Sequence, residues 1–560
     1  MAWFSVLLVA APLMLMGVLV VHTACGLLRN YASARAIGAP VRIIPISPLN
    51  PFWVLVDRKV LSFVRRLPGR LGENSFTRYN WRGWEVKDRY HSHQEMGDIW
   101  VLVTPLKNWI YVNDPEALNS LLRRENDFPR PVFVTEILNV FGPNISNAEG
   151  KAWKTQRKIA LHCFNEQNNA IVWDEALTLA GDMLKYWTSK PSVDTAATDL
   201  RTLSLHVLSR AGFGKSFKFE SQEERKAQDS AGNTAANYKE SLQTILENLI
   251  LIVGLGTNFI AYPWLPKKLR DIHAAYVYFR TYMTNLYEEE KAAFAEGQTT
   301  ESNLMRSMVR ASQADAKDGG GLTEAEIYGN IFVFNFAGHD TTANSFTFAI
   351  YFLAAYPEVQ DWLSEEINRV VGHRPVDEWD YRSDFPRLKR CLAVLYETIR
   401  LYVPVATLKW TGDKAQPLLV GGKVLMLPAN SMVAPSYGSV QTDPRFWGPD
   451  SLIWNPSRFI TKSGVDADEE FCIPVRGAFV GWSDGPRDCP GRKFSQVEFV
   501  ATMAVLFRDN WRVEPMLKDM GESPGAARRR VLDLIENDSG SVLLLQMLHP
   551  ERAPLVWKKR

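Results

Sequence analysis

The most extended apolar pattern in the chain lies at "LTEAEIYGNIFVFNFAGHDTTANSFTFAIYFLAAYPE", residues 322–358. Thr323 with Glu326 three residues later is a capping-box signature for a helix start. The pattern predicts a helix to Tyr356, with Pro357 opening the next one. A helix this long and apolar almost all round must run buried through the centre of its domain. Helical patterns dominate from about residue 150 to 410, with strand-like runs before that region and near the C-terminus. "GDIWVLVTPLKNWIYVND", 97–114, predicts two short strands, Trp100 to Val103 and Trp109 to Val112. The fold class is therefore mainly α with small β-sheets (α+β).

Two further apolar stretches concern membranes. Ala2 to Leu28 carries no formal charge and exceeds the roughly 20 residues an apolar helix needs to cross a bilayer. The basic residues Arg29, Arg35 and Arg42 follow this run, whereas a cleaved signal peptide would begin with them. One N-terminal transmembrane helix is expected, with the rest of the chain cytosolic by the positive-inside bias. Pro40, Pro45, Pro48 and Pro51 then mark a semi-rigid spacer. The expected organisation is 1–28 transmembrane anchor, 29–52 Pro-rich linker and 53–560 catalytic body. The segment 245–266 is strongly apolar but broken by Glu247, Gly254, Gly256 and Pro263. It reads either as a core helix plus loop or as a surface loop dipping into the membrane.

Composition narrows the class. With 560 residues, 46% hydrophobic and 11% aromatic, the chain can bury a large core. Length alone suggests three or four domains at roughly 150 residues each; no linker or repeat separates them, and one large domain fits as well. A net charge of +2 gives no footprint for nucleic acid. The five cysteines, Cys25, Cys163, Cys391, Cys472 and Cys489, form no C-x-x-C pair, which argues against a disulfide framework and against close-spaced zinc ligands.

Four constellations carry candidate chemistry. The first is "WSDGPRDCPG", 482–491. Cys489 stands just ahead of a helical pattern, "RKFSQVEFVATMAVLF", with Arg487 two residues before it. Helix start and arginine both favour an anionic sulfur, and Gly485 and Gly491 would let a flat partner approach the backbone. A buried structural cysteine is the plainer alternative. The second is Glu397 and Arg400, i and i+3 on one helix face, in a stretch from Cys391 to Leu408 with no other charge. A buried pair of this kind needs a third group, for which Arg458 in "WNPSRF" is the candidate. The third is "AGHDTT", Ala337 to Thr342, in the middle of the long apolar helix. Asp340 and Thr341 could relay protons there, or Thr341 could simply bond back to a carbonyl one turn earlier. His339 reads as a metal ligand or as a polar core residue. The fourth is Trp153 and Arg157, i and i+4, which could grip a carboxylate together.

Together these four resemble the cytochrome P-450 superfamily of haem-thiolate monooxygenases, over essentially the whole chain. The family's haem signature F-x-x-G-x-R-x-C-x-G appears as Trp482 to Gly491, with Trp482 in place of the usual phenylalanine. E-x-x-R is Glu397 to Arg400, "NPSRF" supplies Arg458, "AGHDTT" matches A/G-G-x-D/E-T-T/S, and "WKTQR" matches W-x-x-x-R. The resemblance implies a cytochrome P-450 fold with Cys489 as axial ligand of haem b. It implies Arg487, Trp153 and Arg157, with Lys409 as a lesser addition, at the haem carboxylates. Ala337 and Gly338 would leave room above the iron, and Asp340 and Thr341 would deliver protons during oxygen activation. The reaction would insert one atom of O2 into an apolar small molecule. Electrons from NADPH would come through a separate flavoprotein, NADPH-cytochrome P-450 reductase, with cytochrome b5 as a further donor. The stretch after Cys489 is short for a fused reductase, and Arg487, Arg492 and Lys493 are candidates for the docking face.

The anchor resembles that of microsomal members, which implies the endoplasmic reticulum membrane. "NYASARAIGAP" and "FNEQNNAIVW" resemble fungal members that tailor secondary metabolites, implying a terpenoid or polyketide substrate. Substrate contacts are expected from Phe133 to Phe141, from Phe334 and Phe336, and from Val405 to Leu408. Two alternatives are a haem-dependent isomerase or dehydratase, against which the Asp340-Thr341 pair argues, and a membrane-anchored haem carrier with no substrate, which would need no proton relay.

Overall fold

The computed structural model describes residues 2–219, 234–297, 303–316, 321–462, 468–473, 475, 477–519 and 521–559. The chain divides into two interleaved units. Unit 1 comprises Met1–Pro131, Ala406–Ile453 and Val475–Asp488; unit 2 comprises Val132–Val405, Trp454–Pro474 and Cys489–Arg560.

Unit 1 is built on a five-stranded sheet. Its strands are β1 (Val41–Ile43), β2 (Ile99–Val103), β3 (Asn108–Val112), β4 (Lys409–Trp410) and β7 (Met432–Pro435), in the order β1-β2-β3-β7-β4. A separate hairpin joins β5 (Gln416–Val420) to β6 (Lys423–Leu427). The two expected strands are β2 and β3, antiparallel, with Trp100 opposite Tyr111. Both are wholly buried, so neither shows the polar-apolar alternation of a half-exposed sheet. Trp100 stacks on Tyr111 at 4.5 Å, and Trp84 meets Tyr111 edge-on at 5.1 Å.

The N-terminal apolar run lies in one helix, α1 (Ala2–Arg35). Among the described residues, no helix is long and apolar enough to cross a membrane. Within the proline-punctuated stretch, Val41–Ile43 pairs in parallel with β2, and a second helix, α2 (Pro51–Val64), follows, capped by Asn50. The Asn50 side chain accepts from the amides of Phe52 and Trp53, and Pro51 at the first helical position costs no hydrogen bond.

Unit 2 is mainly helical. Its principal helices are α3 (Gly150–Cys163), α4 (Glu166–Thr188), α5 (Ala196–Phe213), α6 (Thr234–Glu247), α7 (Lys267–Ala295), α8 (Glu324–Ala355), α9 (Lys389–Leu401) and α10 (Arg492–Phe507). Helix α8 has the expected capping box: Thr323 accepts from the Glu326 amide and Glu326 accepts from the Thr323 amide. It ends at Ala355 with Tyr356 as its cap, and Pro357 opens the next helix. A Cβ on Gly329 would stand 2.3 Å from the Gly142 carbonyl oxygen, so only glycine admits that crossing. Phe346 stacks on Phe499 of α10 at 4.8 Å.

The segment 245–266, expected as a core helix plus loop or as a surface loop dipping into the membrane, begins in the last turn of α6. It then forms two short helices, Leu249–Leu255 and Thr257–Ile260. Leu249, Ile252 and Ile260 are buried, while Ile250, Val253, Phe259, Tyr262 and Trp264 are exposed, Trp264 by 71%.

Helix α10 also carries Glu498, fully buried with no hydrogen-bond partner on either carboxylate oxygen; the hydroxyls of Ser204 on α5 and Thr502 are likewise unpartnered. Burial pushes the Glu498 carboxyl up to about 8, and the nearby Ser204 hydroxyl opposes that shift only in part. Below about pH 4 the group is neutral in folded and unfolded chains alike. Between there and pH 8 only the unfolded chain ionises, so its contribution to stability is lost as pH rises. Glu498→Gln should therefore gain on the parent by a few kcal/mol between pH 4 and pH 8. Denaturant midpoints of both proteins across that range check this, and a pH-independent difference would contradict it.

Candidate active site

In unit 2 the charged pair predicted to be buried is fully so. Glu397 and Arg400, on α9, have no exposed side-chain surface. Arg400 Nε donates to Glu397 Oε2 at 2.6 Å and its Nη2 to Oε1 at 2.8 Å. Arg458 is the third member, its Nε 3.0 Å from Glu397 Oε1. The backbone amide of Asn455 adds a fourth donor at 2.8 Å. Each carboxylate oxygen thus has a charged partner, the condition on which such a group survives burial.

Helix α10 is tied to the same helix. The Tyr396 hydroxyl on α9 meets Arg492 at 2.9 Å and Gln496 at 3.0 Å. These bonds fix the turn that begins α10, and Cys489 sits in that turn. Cys489 is exposed and outside any disulfide, unlike Cys391, which is buried and whose thiol burial pushes well up. A Cβ on Gly491 would lie 3.9 Å from the Cys489 sulfur, an ordinary contact.

Helix α8 shows a corresponding break in burial. Among largely buried neighbours, Ala337 is exposed and Gly338, Asp340 and Thr341 are half-buried. Asp340 is ion-paired with Arg201 of α5 at 2.8 Å, and Arg201 also reaches Asn344 and Gln546, each at 3.4 Å. Thr341 donates to the Ala337 carbonyl at 2.7 Å, the back-bond that was the plainer reading. Ser345 in turn donates to the Thr341 carbonyl at 2.9 Å. His339 is a core residue: burial lowers its pKa, and its ring meets the Asn335 carbonyl. Among the described residues no cluster of potential metal ligands occurs.

Trp153 is buried and Arg157 half-buried on α3. That helix is fastened to α8 through Gln156, which accepts from Asn330 and donates to Glu326, both at 3.0 Å. Phe164, just past α3, meets Phe334 of α8 at 5.8 Å and Phe494 of α10 at 6.3 Å. One ring therefore bridges the helix of the acid-hydroxyl pair and the helix that starts after Cys489. The proposed substrate contacts divide. Phe133 and Val405 are exposed and Phe334 and Phe336 buried. Phe141 is held in a core aromatic cluster, stacked on Tyr276 at 4.8 Å and beside Phe332 at 5.0 Å.

The unit 1 portion of the signature differs from expectation in two ways. Gly485 has φ 77°, and a Cβ there would stand 2.6 Å from the Leu122 carbonyl oxygen. The chain's own backbone is by itself enough to require glycine here. Arg487 is buried, 3.6 Å from Glu125, and its carbonyl accepts from Arg130 at 3.2 Å. A buried guanidinium cannot belong to a protein-docking face, so of the three basic residues considered for that role only Arg492 and Lys493 are exposed. Trp482 is buried near Phe479, at 6.0 Å, and Lys409 is buried on β4.

Sequence reasoning missed Arg201, Phe164 and Glu498. Arg201 had a signal: it follows Asp199 and Leu200 in a helix that is otherwise mostly apolar.

A mostly helical scaffold with small sheets and an exposed thiol at a helix start can hold a haem through a thiolate. The family model for cytochrome P450 matches residues 81–526, and the chain belongs to that family. It is 28% identical over 556 residues to a cytochrome P450 monooxygenase of Arthrobotrys oligospora, covering 91% of each chain. It is 29% identical to the phomenoic acid biosynthesis cluster cytochrome P450 monooxygenase of Leptosphaeria maculans, covering 87% of this chain and 89% of that one. Among solved structures, a cytochrome P450 (CYP102L1) superposes with a TM-score of 0.64 at 18% identity, over 85% of this chain and 98% of that chain. The protein is thus an oxidoreductase, a cytochrome P450 monooxygenase with a haem iron, a small-molecule substrate, O2 and a redox partner delivering NADPH-derived electrons.

The residues in hand fit such a group. Cys489 supplies an exposed, unbridged thiol, and Gly491 leaves its approach clear of any Cβ. The only break in the burial of the middle of α8 falls at Ala337 and its neighbours.

Proposed function

We propose that the chain is a membrane-bound monooxygenase that hydroxylates, or carries out a related oxidation of, an apolar secondary metabolite of the terpenoid or polyketide class. The exposed turn at Cys489, fixed by α9 and opening α10, carries this reading. Cys489 would ligate the iron of haem b, and Arg487, Trp153 and Arg157 would meet its carboxylates. When bound, the haem supplies dioxygen activation; the chain supplies binding, orientation and protons.

In that role the Asp340 carboxylate and the Thr341 hydroxyl oxygen would accept protons from water and pass them on. Arg201 pairs with the Asp340 carboxylate and orients it, and its links to Asn344 and Gln546 extend a polar path on one side of α8. The Thr341 hydroxyl donates to Ala337, which leaves its oxygen lone pairs to accept from a substrate or water at the exposed step. Phe334 and Phe336 would present apolar surface to the substrate, with Val405 and Phe133 at its margin; Phe141 would act through packing.

The redox partner would be NADPH-cytochrome P-450 reductase, with cytochrome b5 as a second donor. The charge-free run 2–28 would anchor the chain in the endoplasmic reticulum membrane, with the catalytic body on the cytosolic side. The exposed aromatic residues Phe259, Tyr262 and Trp264 would touch the same bilayer, since amphipathic aromatic side chains favour its interface.

Expression with the reductase and a candidate extract tests the substrate class: an oxygenated terpenoid or polyketide that depends on NADPH and O2 is expected, and turnover of fatty acids or sterols alone would contradict it. Thr341→Ala should keep NADPH consumption but release the electrons as hydrogen peroxide, with product per NADPH falling about tenfold or more. Unchanged coupling would remove Thr341 from the proton path.

A further inference from the structure

Phe164 ends α3 with φ −99° and ψ 70°, outside the helical region. Asn165 then caps α4, its side chain accepting from the Asn168 amide at 2.9 Å. Polar side chains satisfy the orphan backbone groups at such a break; the Phe164 side chain satisfies none and turns toward two other helices. Its ring meets Phe334 of α8 at an interplanar angle of 86° and Phe494 of α10 at 79°. Both contacts are edge-to-face, the arrangement that ring quadrupoles favour. Phe334 and Phe494 are buried. Phe164 is only half-buried, so part of its ring has no protein cover.

The position of Gly491 shows what this ring borders. A Cβ on Gly491 would stand 3.8 Å from Cε1 of Phe164 and 3.9 Å from Sγ of Cys489. Ring edge and sulfur therefore flank one small space, about the size of a methyl group. With φ −85°, Gly491 has a conformation open to any residue, so its missing side chain serves that space and not the backbone. Cys489 is exposed, and an apolar ring edge stands where water would otherwise reach its sulfur. Water at a thiolate would hydrogen-bond to it and draw off electron density donated to iron. Reduction of the iron also adds a negative charge to the site, which a dry, low-dielectric surround disfavours. Both effects have the same sign: an apolar cover holds the reduction potential down.

We propose that Phe164 is a positioning residue for the iron's thiolate: its ring edge covers the Cys489 sulfur beside Gly491, keeps water from it, and so lowers the reduction potential. This rests on the reading of Cys489 as the iron ligand.

The test is a potentiometric titration of the full-length holoenzyme, read together with the absorption spectrum of its reduced carbon monoxide complex. Phe164→Ala should raise the ratio of reduced to oxidised protein at a fixed ambient potential about tenfold, which is about 59 mV for a one-electron couple. Its red-shifted Soret band should also decay faster than the parent's, as water and protons reach the thiolate. Phe164→Leu, which keeps an apolar cover, should titrate like the parent even where it melts at a lower temperature. If Phe164→Ala does not retain haem, Phe164→Val, which trims less of the side chain, is titrated in its place, with a shift in the same direction expected. An alanine or valine variant with the parent's potential overturns the proposal, whatever its melting temperature. So does a leucine variant shifted as far as the alanine one, which would make the effect one of packing around a ring and not of cover. A parent protein without the red-shifted band overturns the reading of Cys489 itself; a parent with the band and an unshifted Phe164→Ala overturns this proposal alone.

Discussion

Glu397→Ala is expected to destabilise the protein by roughly 3–5 kcal/mol, enough to prevent haem retention at ordinary temperatures. The physical reason is asymmetry. With Glu397 present, Arg400 and Arg458 share one carboxylate whose second donor set includes the Asn455 amide. With it gone, two guanidinium groups face each other, one of them completely out of water. Glu397→Gln keeps the shape but not the charge and should recover only a small part of the loss. Removal of an exposed pair such as Lys185 with Asp182 should change stability by less than about 1 kcal/mol. Thermal melting and haem content of purified variants check this, and a Glu397→Ala protein that binds haem and melts like the parent would contradict it.

The features read correctly from sequence were those written in local pattern. The capping box at Thr323, the end of α8 before Pro357, and the two strands around 97–114 all depend on neighbours a few residues apart. Arg458 could be found at a distance because a buried carboxylate pair with an arginine left a stated need for a third charge. What stayed hidden depends on three-dimensional proximity alone. Asp340 finds its counter-ion 139 residues earlier in the chain, and nothing near Asp340 announces Arg201. At Gly485 a glycine pattern cannot distinguish the approach of a flat molecule from that of the Leu122 backbone. Arg487 was read as both a ligand-holding and a docking residue; burial separates those roles. The segment 245–266 was ambiguous because periodicity reports an apolar face without reporting what covers it.

The second large effect concerns Cys489. Its place at the start of α10, where unsatisfied amides and the helix dipole favour negative charge, suits an anionic sulfur. Its exposure leaves that sulfur accessible, whereas Cys391 is buried and pushed toward the neutral thiol. A serine oxygen at this position would be a far weaker electron donor to iron than a thiolate. Cys489→Ser should accordingly lose monooxygenase activity altogether, while Cys472→Ser, which alters a sulfur elsewhere in unit 2, should behave as the parent. The most direct measurement is the absorption spectrum of the reduced carbon monoxide complex. The parent and Cys472→Ser proteins should show the red-shifted Soret band of a thiolate-ligated haem, and Cys489→Ser should lack it; a Cys489→Ser protein that retained that band would show that Cys489 is not the ligand.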